Sequence, residues 1–145
     1  MFTGIVQGKG KVLSLTPHEG GKTFVIDLGV LAQGVTRGAS IALSGVCMTV
    51  TEMNGTEISF DAMGETCEKT TLGMVQLGEE ITVERSAKMG DEIGGHQVSG
   101  HVTGTGTIRS LDTSNGNWIL TIACDPAWLE YIFPKGFVAV DGCSL

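Results

Sequence analysis

Apolar and polar residues alternate along most of this chain in short runs of strand period. Thr23–Leu28, Ala39–Leu43, Cys47–Thr51, Glu57–Phe60 and Glu80–Glu84 place apolar side chains on roughly every second residue, the pattern of a half-buried strand. Ile5–Val6 and Lys11–Leu15 flank a kink at Gly8 and Gly10. Val46–Met53 and Thr56–Phe60 are joined by Asn54-Gly55, the dipeptide favoured by a two-residue hairpin turn, whose central residues need positive φ. Helical character is confined to Gly29–Val35, to Glu65–Leu72 ended by Gly73, and to a piece opened by Asp125-Pro126 that runs through Ile132. In the last, Pro sits at its favoured first turn and Pro134 acts as a stop. Several short strands with a helix across one end predict an all-β fold, a small closed antiparallel barrel.

The pattern occurs twice. Gly4, Val6, Gly8, Gly10 and Leu15 recur 96 positions later as Gly100, Val102, Gly104, Gly106 and Leu111, and Val12 meets Ile108. Phe24–Leu28 matches Trp118–Ile122 at a shift of 94, and Ile41–Met48 matches Val138–Leu145 at a shift of 97. A period this long makes each copy a domain and not a solenoid unit. The expected organisation is two tandem six-stranded antiparallel Greek-key barrels with short helices. Residues 1–96 form the first, including the linker 87–96, in which Ala87–Gly95 is polar and glycine-bearing; residues 97–145 form the second. Leu145 is the partner of Met48, and copy one runs on well past Met48. The second barrel is therefore expected to be incomplete here and the chain to be part of a longer protein. The alternative is a natural protein with a degenerate half-repeat.

Composition narrows the partners. With 41% hydrophobic and 17% charged residues in 145, the chain is globular and not disordered. The net charge of −7, with no basic stripe, excludes a nucleic-acid partner. No apolar run approaches the ~18 residues of a membrane span. The start, MFTGIVQGKG, lacks the charged and apolar regions of a signal peptide. The four cysteines form no CxxC and the three histidines are spread widely, which argues against a metal site and for a reduced, cytoplasmic protein.

Taken singly, few residues announce chemistry. Cys47 reads as an ordinary buried strand cysteine unless a motif says otherwise; its copy-two partner is Ser144. His101 reads equally as a surface strand histidine or as a proton donor or acceptor. Its partner Ile5 is apolar, so the fold does not demand an imidazole there. His18 and His96 fall in loops and read as solvated. Lys135 and Ser40 are ordinary at a strand entry and on a strand face. Phe2 either caps the core or covers a ligand. Trp118 and Trp128 read as core, and Glu84, Arg85 and Asp91-Glu92 as solvated or interdomain polar contacts.

Three longer segments are more specific. Met1-Phe2-Thr3-Gly4-Ile5-Val6, Gly45-Val46-Cys47-Met48-Thr49-Val50-Thr51 and Asp91-Glu92-Ile93-Gly94-Gly95-His96-Gln97-Val98-Ser99-Gly100-His101-Val102 resemble the riboflavin synthase family of the two-barrel, alpha-subunit type. Lys135-Gly136-Phe137 and Asp141-Gly142-Cys143-Ser144-Leu145 extend the likeness to the whole chain. The resemblance implies a dismutation of two 6,7-dimethyl-8-ribityllumazine molecules by transfer of a four-carbon unit. The products are riboflavin and 5-amino-6-ribitylamino-2,4-pyrimidinedione, formed in a homotrimer without metal or redox cofactor. It implies catalytic roles for His101, Cys47 and Ser40. It also implies a first set of substrate contacts from Phe2, Gly4, Ile5, Val6, Cys47, Met48, Thr49 and Asp61-Ala62-Met63-Gly64-Glu65-Thr66. A second set comes from Gly100, His101, Val102, Lys135, Ser144 and Leu145. Gly64 stands where the family often carries a longer, charged residue. The alternative is a lumazine- or flavin-binding protein of the same fold without catalysis. Such relatives have typically lost the histidine of Ser99-Gly100-His101, which is intact here.

Overall fold

Six strands form from the alternating segments of the first copy in the computed structural model, which describes residues 1–145: β1 (Gly8–His18), β2 (Gly21–Asp27), β3 (Ser40–Leu43), β4 (Val46–Asn54), β5 (Glu57–Met63) and β6 (Glu80–Arg85). They pair in the order β1-β2-β5-β4-β3-β6, and β6 returns to β1. Closure leaves no strand edge unpaired. The alternation sends Val12, Phe24, Ile26, Ile41, Leu43, Val46, Met48, Val50, Ile58, Phe60, Ala62, Ile81 and Val83 inward, and Leu28, Ala32, Val35 and Leu72 complete the core from outside the strands. Phe24 and Phe60, both fully buried, are opposite each other on β2 and β5, and Val50 of β4 faces Phe60 from the other side. Phe60→Ala is therefore expected to destabilise the barrel by about 3–5 kcal/mol. Urea unfolding would read this, and a loss under about 1 kcal/mol would contradict the packing described.

The helical pieces are shorter than their sequence pattern predicts. Gly29–Val35 keeps one 3₁₀ turn, Gly29–Ala32. Arg85 draws the next carbonyls, those of Gln33 and Gly34, out to its guanidinium. Glu65–Leu72 divides into α1 (Gly64–Lys69) and a 3₁₀ turn, Thr71–Gly73. Thr70, extended between them, donates its hydroxyl to the Thr66 carbonyl and accepts from the Leu72 amide. The third piece is the 3₁₀ segment Pro126–Tyr131, capped by the Asp125 carboxylate on the Ala127 amide. Ile5–Val6 is not a strand: the chain turns at Gly4 and enters β1 only at Gly8.

The second copy is a partial sheet system. The strands β7 (Thr107–Asp112) and β8 (Ile119–Ala123) form a hairpin, and β9 (Ala139–Val140) pairs with β10 (Cys143–Ser144). The β7–β8 ladder slips between Ile108 and Ser110 as the β1–β2 ladder slips between Val12 and Ser14. Ile108 faces Ile122 as Val12 faces Ile26, so the shift stays at 96 through the hairpin. This corrects the expected match at 94. Leu120, not Trp118, is the counterpart of Phe24; Trp118 corresponds to Lys22 and is 77% exposed, not core. Trp128 is partly buried, its ring lying over Gly104. In barrel one the far edge of β2 pairs with β5; the corresponding edge of β8 has no partner in these residues. Ile108, Leu111 and Leu120 are consequently exposed, where Val12 and Phe24 are buried.

The two copies meet about a local two-fold axis. Phe2 and Val98, counterparts at the 96 shift, exchange both backbone hydrogen bonds, at 2.8 and 2.9 Å. A residue bridged antiparallel to its own counterpart lies on or beside such an axis. Gly45 and Gly142, counterparts at 97, are pressed together so closely that a Cβ on Gly45 would sit 2.5 Å from the Gly142 nitrogen. Ser44 and Asp141, the residues before them, share positive φ values of 46° and 49°. Thr82 ties this contact to barrel one by donating to the Asp141 carbonyl.

Candidate functional site

The axis crosses the repeats over each other. The first segment of each copy docks not on its own second segment but on that of the other copy. Cys47 donates its amide to the Gly100 carbonyl at 2.9 Å, and Ser144 donates its amide to the Gly4 carbonyl at 2.8 Å. The expected grouping placed Gly4–Val6 with Cys47 and Gly100–Val102 with Ser144. In space the partners are exchanged. Both carbonyls are aimed by a left-handed glycine, with φ of 74° at Gly4 and 79° at Gly100.

The first junction is built on β4. Met48 points its side chain into the barrel core, which leaves its backbone for the expected substrate contact. Cys47, partly exposed, and Thr49, exposed, point the other way. Phe2 is buried beside Gly100, outside the barrel core, so it is a wedge between the copies and not a core cap. Val102 leans on the barrel-one core from the second copy. His101, exposed, is thereby carried to the Cys47 side, with its amide donating to Ser99 Oγ. Ser40 pairs with Thr49 across β3–β4.

The strand-to-helix corner follows from register. Val50 pairs with Phe60, so Thr49 and Asp61 leave the β4–β5 ladder at the same end. Asp61 is exposed and accepts from Thr23 Oγ1 at 2.6 Å. Ala62 turns into the core, whereas Met63 is exposed. Gly64 and Thr66 are partly buried on α1. Glu65 is paired with Lys69 one turn on, 2.6 Å away; that hydrogen bond and the ammonium charge hold the Glu65 carboxyl below its usual range.

The second junction carries residues whose roles were not legible. Glu84 is buried, not solvated: its carboxylate accepts from the Thr3 amide at 2.6 Å, the Thr3 hydroxyl at 2.7 Å and the Gly4 amide at 3.1 Å. His96 is not a free loop residue. Its amide donates to the Thr3 carbonyl, its Nδ1 lies 2.7 Å from Ser144 Oγ, and its ring stacks on Phe137. An acidic residue near a strand end and a histidine in a glycine-rich segment look solvated until the crossing is known. Ile5 and Lys135 are exposed, Val6 is partly buried, and Leu145 is exposed with its backbone paired to Val138. A cleft of about 400 Å³ opens beside this junction between Ile5, Gln7, Arg85 and Glu92.

Comparison with known proteins places this architecture. The lumazine binding domain family matches residues 3–86 and again residues 99–145. The riboflavin synthase of Escherichia coli (strain K12) is similar to the whole chain at 44% identity, and the chain spans 69% of its length. The riboflavin synthase of Bacillus subtilis (strain 168) is 32% identical, with 67% of its length spanned. In fold, the chain is similar to LumP complexed with 6,7-dimethyl-8-(1'-D-ribityl) lumazine. The TM-score is 0.87 at 20% identity, covering 100% of this chain and 78% of that one. LumP complexed with riboflavin is similar at a TM-score of 0.89 and 21% identity, covering 99% and 78%. The two matched segments coincide with the two crossed copies, and by them the chain belongs to the lumazine-binding-domain family, among the riboflavin synthases.

Proposed function

We propose that the two junctions are the two lumazine-binding sites of a riboflavin synthase reaction. Two molecules of 6,7-dimethyl-8-ribityllumazine bind, one gives a four-carbon unit to the other, and riboflavin and 5-amino-6-ribitylamino-2,4-pyrimidinedione leave. One observation carries the reading: the chain builds the same backbone junction twice, at Gly100–Cys47 and Gly4–Ser144. A reaction between two copies of one molecule is served by two like sites that differ in their reactive groups. The sites differ where chemistry needs them to, with Cys47 and His101 at one and Ser144, His96 and Ile5 at the other. Binding both copies in register supplies rate by proximity. Placement of donor and acceptor across subunits of a homotrimer, in the cytoplasm, completes the proposal.

His101 acts as the proton donor or acceptor at the first site. Its replacement by Gln, in the protein as its source makes it, is expected to lower turnover by about 10²-fold or more while lumazine affinity changes little. Wild-type turnover in that variant would remove His101 from the mechanism. Binding itself is checked by titrating riboflavin into the 145-residue chain and following the quenching of flavin fluorescence. Residues 1–86 retain the closed barrel but lose Gly100–Val102, so they are expected to bind at least about tenfold more weakly than the whole chain, a loss of one such junction being worth about 1.4 kcal/mol or more. Absence of quenching by the whole chain at high micromolar protein would sink the assignment.

The non-catalytic alternative rests on the likeness in fold to LumP. It predicts tight binding of the lumazine without conversion to riboflavin. The intact His101, at the junction side of Cys47, favours turnover.

A further inference from the structure

We propose that Glu84 is a positioning residue for both sites. It sits on β6 in the wall of barrel one, 4% exposed. Its carboxylate has no cationic partner, since the ion pairs of the chain are Lys9–Glu80 and Lys69–Glu65. Arg85 beside it is committed to the carbonyls of Gln33 and Gly34. A buried carboxylate without a counter-charge is tolerated only when hydrogen bonds replace its water. Here every donor comes from one dipeptide: Thr3 N–H and O–H on one oxygen, Gly4 N–H on the other.

That dipeptide faces the second junction with its remaining carbonyls, and its neighbour Phe2 faces the first. The Thr3 carbonyl accepts from the His96 amide and the Gly4 carbonyl from the Ser144 amide. The Thr3 hydroxyl, while donating to Glu84, accepts from the Ile5 amide at 3.3 Å. On the other side, Phe2 is bridged to Val98 and its ring lies against Gly100, next to Cys47. One carboxylate in the barrel wall thus sets the register of a segment that reaches Cys47 through Phe2 and Ser144 through Gly4. Glu84 touches no candidate reacting atom, so it acts through these residues. The assignment of a role in binding rests on the reading of the junctions as lumazine sites; the positional role stands on the hydrogen bonds alone.

Gln is the discriminating substitution. It keeps the size of Glu but brings an NH₂ to a place where only donors converge, leaving one buried N–H facing another. In ¹⁵N-labelled 145-residue chain, E84Q and E84A are expected to speed hydrogen exchange of the Gly4, His96 and Ser144 amides by at least about tenfold, and to weaken riboflavin binding by about as much. The Phe24 and Phe60 amides, inside the closed barrel, should keep their protection. T3V should show a smaller effect alone and little further effect at His96 and Ser144 when added to E84A, because the hydroxyl reaches those amides through the carboxylate; its direct bond from the Ile5 amide is a separate, local one. Two outcomes overturn the proposal. One is wild-type protection at His96 and Ser144 in both variants. The other is an equal loss at Phe24 and Phe60, which would make Glu84 a general prop of the barrel. If the wild-type chain fails to bind riboflavin, the lumazine-site reading fails, and the exchange pattern still decides the role of Glu84.

Discussion

Valine at position 100 is expected to weaken riboflavin binding by at least about tenfold while leaving barrel one folded. Gly100 has φ of 79°, a region in which a β-branched residue is strained by about 1–3 kcal/mol. Any Cβ there would also lie 2.6 Å from the Cys47 Cβ, 2.9 Å from the Cys47 nitrogen and 3.0 Å from the Phe2 ring. The first two are backbone-proximal atoms of a paired strand and cannot step aside as the tip of a long side chain can. Overpacking of this kind costs a further 1–3 kcal/mol or so. The segment must therefore lift off β4, which breaks the Gly100–Cys47 hydrogen bond and withdraws His101 and Val102 together. Gly4→Val should do the same at the other junction, where a Cβ would meet the Ser144 Cβ at 2.7 Å. Fluorescence titration with riboflavin, beside a thermal melt followed by circular dichroism, separates lost binding from lost fold. Wild-type affinity in Gly100→Val would show that the crossed junction is not where the ligand sits.

The barrel was legible because period-2 alternation is local: Phe24, Ile26, Ile58 and Phe60 announce an inward face from sequence alone, and each is buried. Asn54-Gly55 likewise announces a hairpin, and it joins β4 to β5. The duplication was legible because equivalent glycines recur. What failed were long-range choices that a sequence does not encode locally. A repeat shows which segments are alike, not whether each docks at home or on its twin, so the sequence pairs Gly4 with Cys47 and Gly100 with Ser144 where the fold exchanges them. The same gap hid Glu84 and His96, whose partners Thr3 and Ser144 are 81 and 48 positions away. Trp118 is ambiguous in sequence for a smaller reason: size and alternation fit two registers two residues apart, and only the slip shared by the β1–β2 and β7–β8 ladders chooses between them.

Residues 97–145, made as a separate polypeptide, are expected to be unfolded. Within this stretch only Gly100 and Gly142 are buried, and what covers them is barrel one, through Cys47, Phe2 and Gly45. The remainder is two two-stranded sheets, and an isolated hairpin is marginal in water at best. Its apolar residues add little, because Ile108, Leu111, Trp118, Leu120, Phe133 and Phe137 lie 42–77% exposed. Ordering each backbone residue costs roughly 1–2 kcal/mol, so nothing in this stretch offsets the loss of barrel one. In the 145-residue chain the second copy is held chiefly by the junctions. Limited proteolysis should therefore cut first beyond residue 86 and leave barrel one intact. The same exposure should make the chain bind a hydrophobic dye. Turnover by a polypeptide of these 145 residues should be slight, because the second site has no counterpart here of the Asp61–Thr66 corner that leaves the ladder beside Thr49 in the first. Dispersed amide resonances from residues 97–145 alone, or robust steady-state riboflavin production by the 145-residue polypeptide, would show that the second copy is self-sufficient.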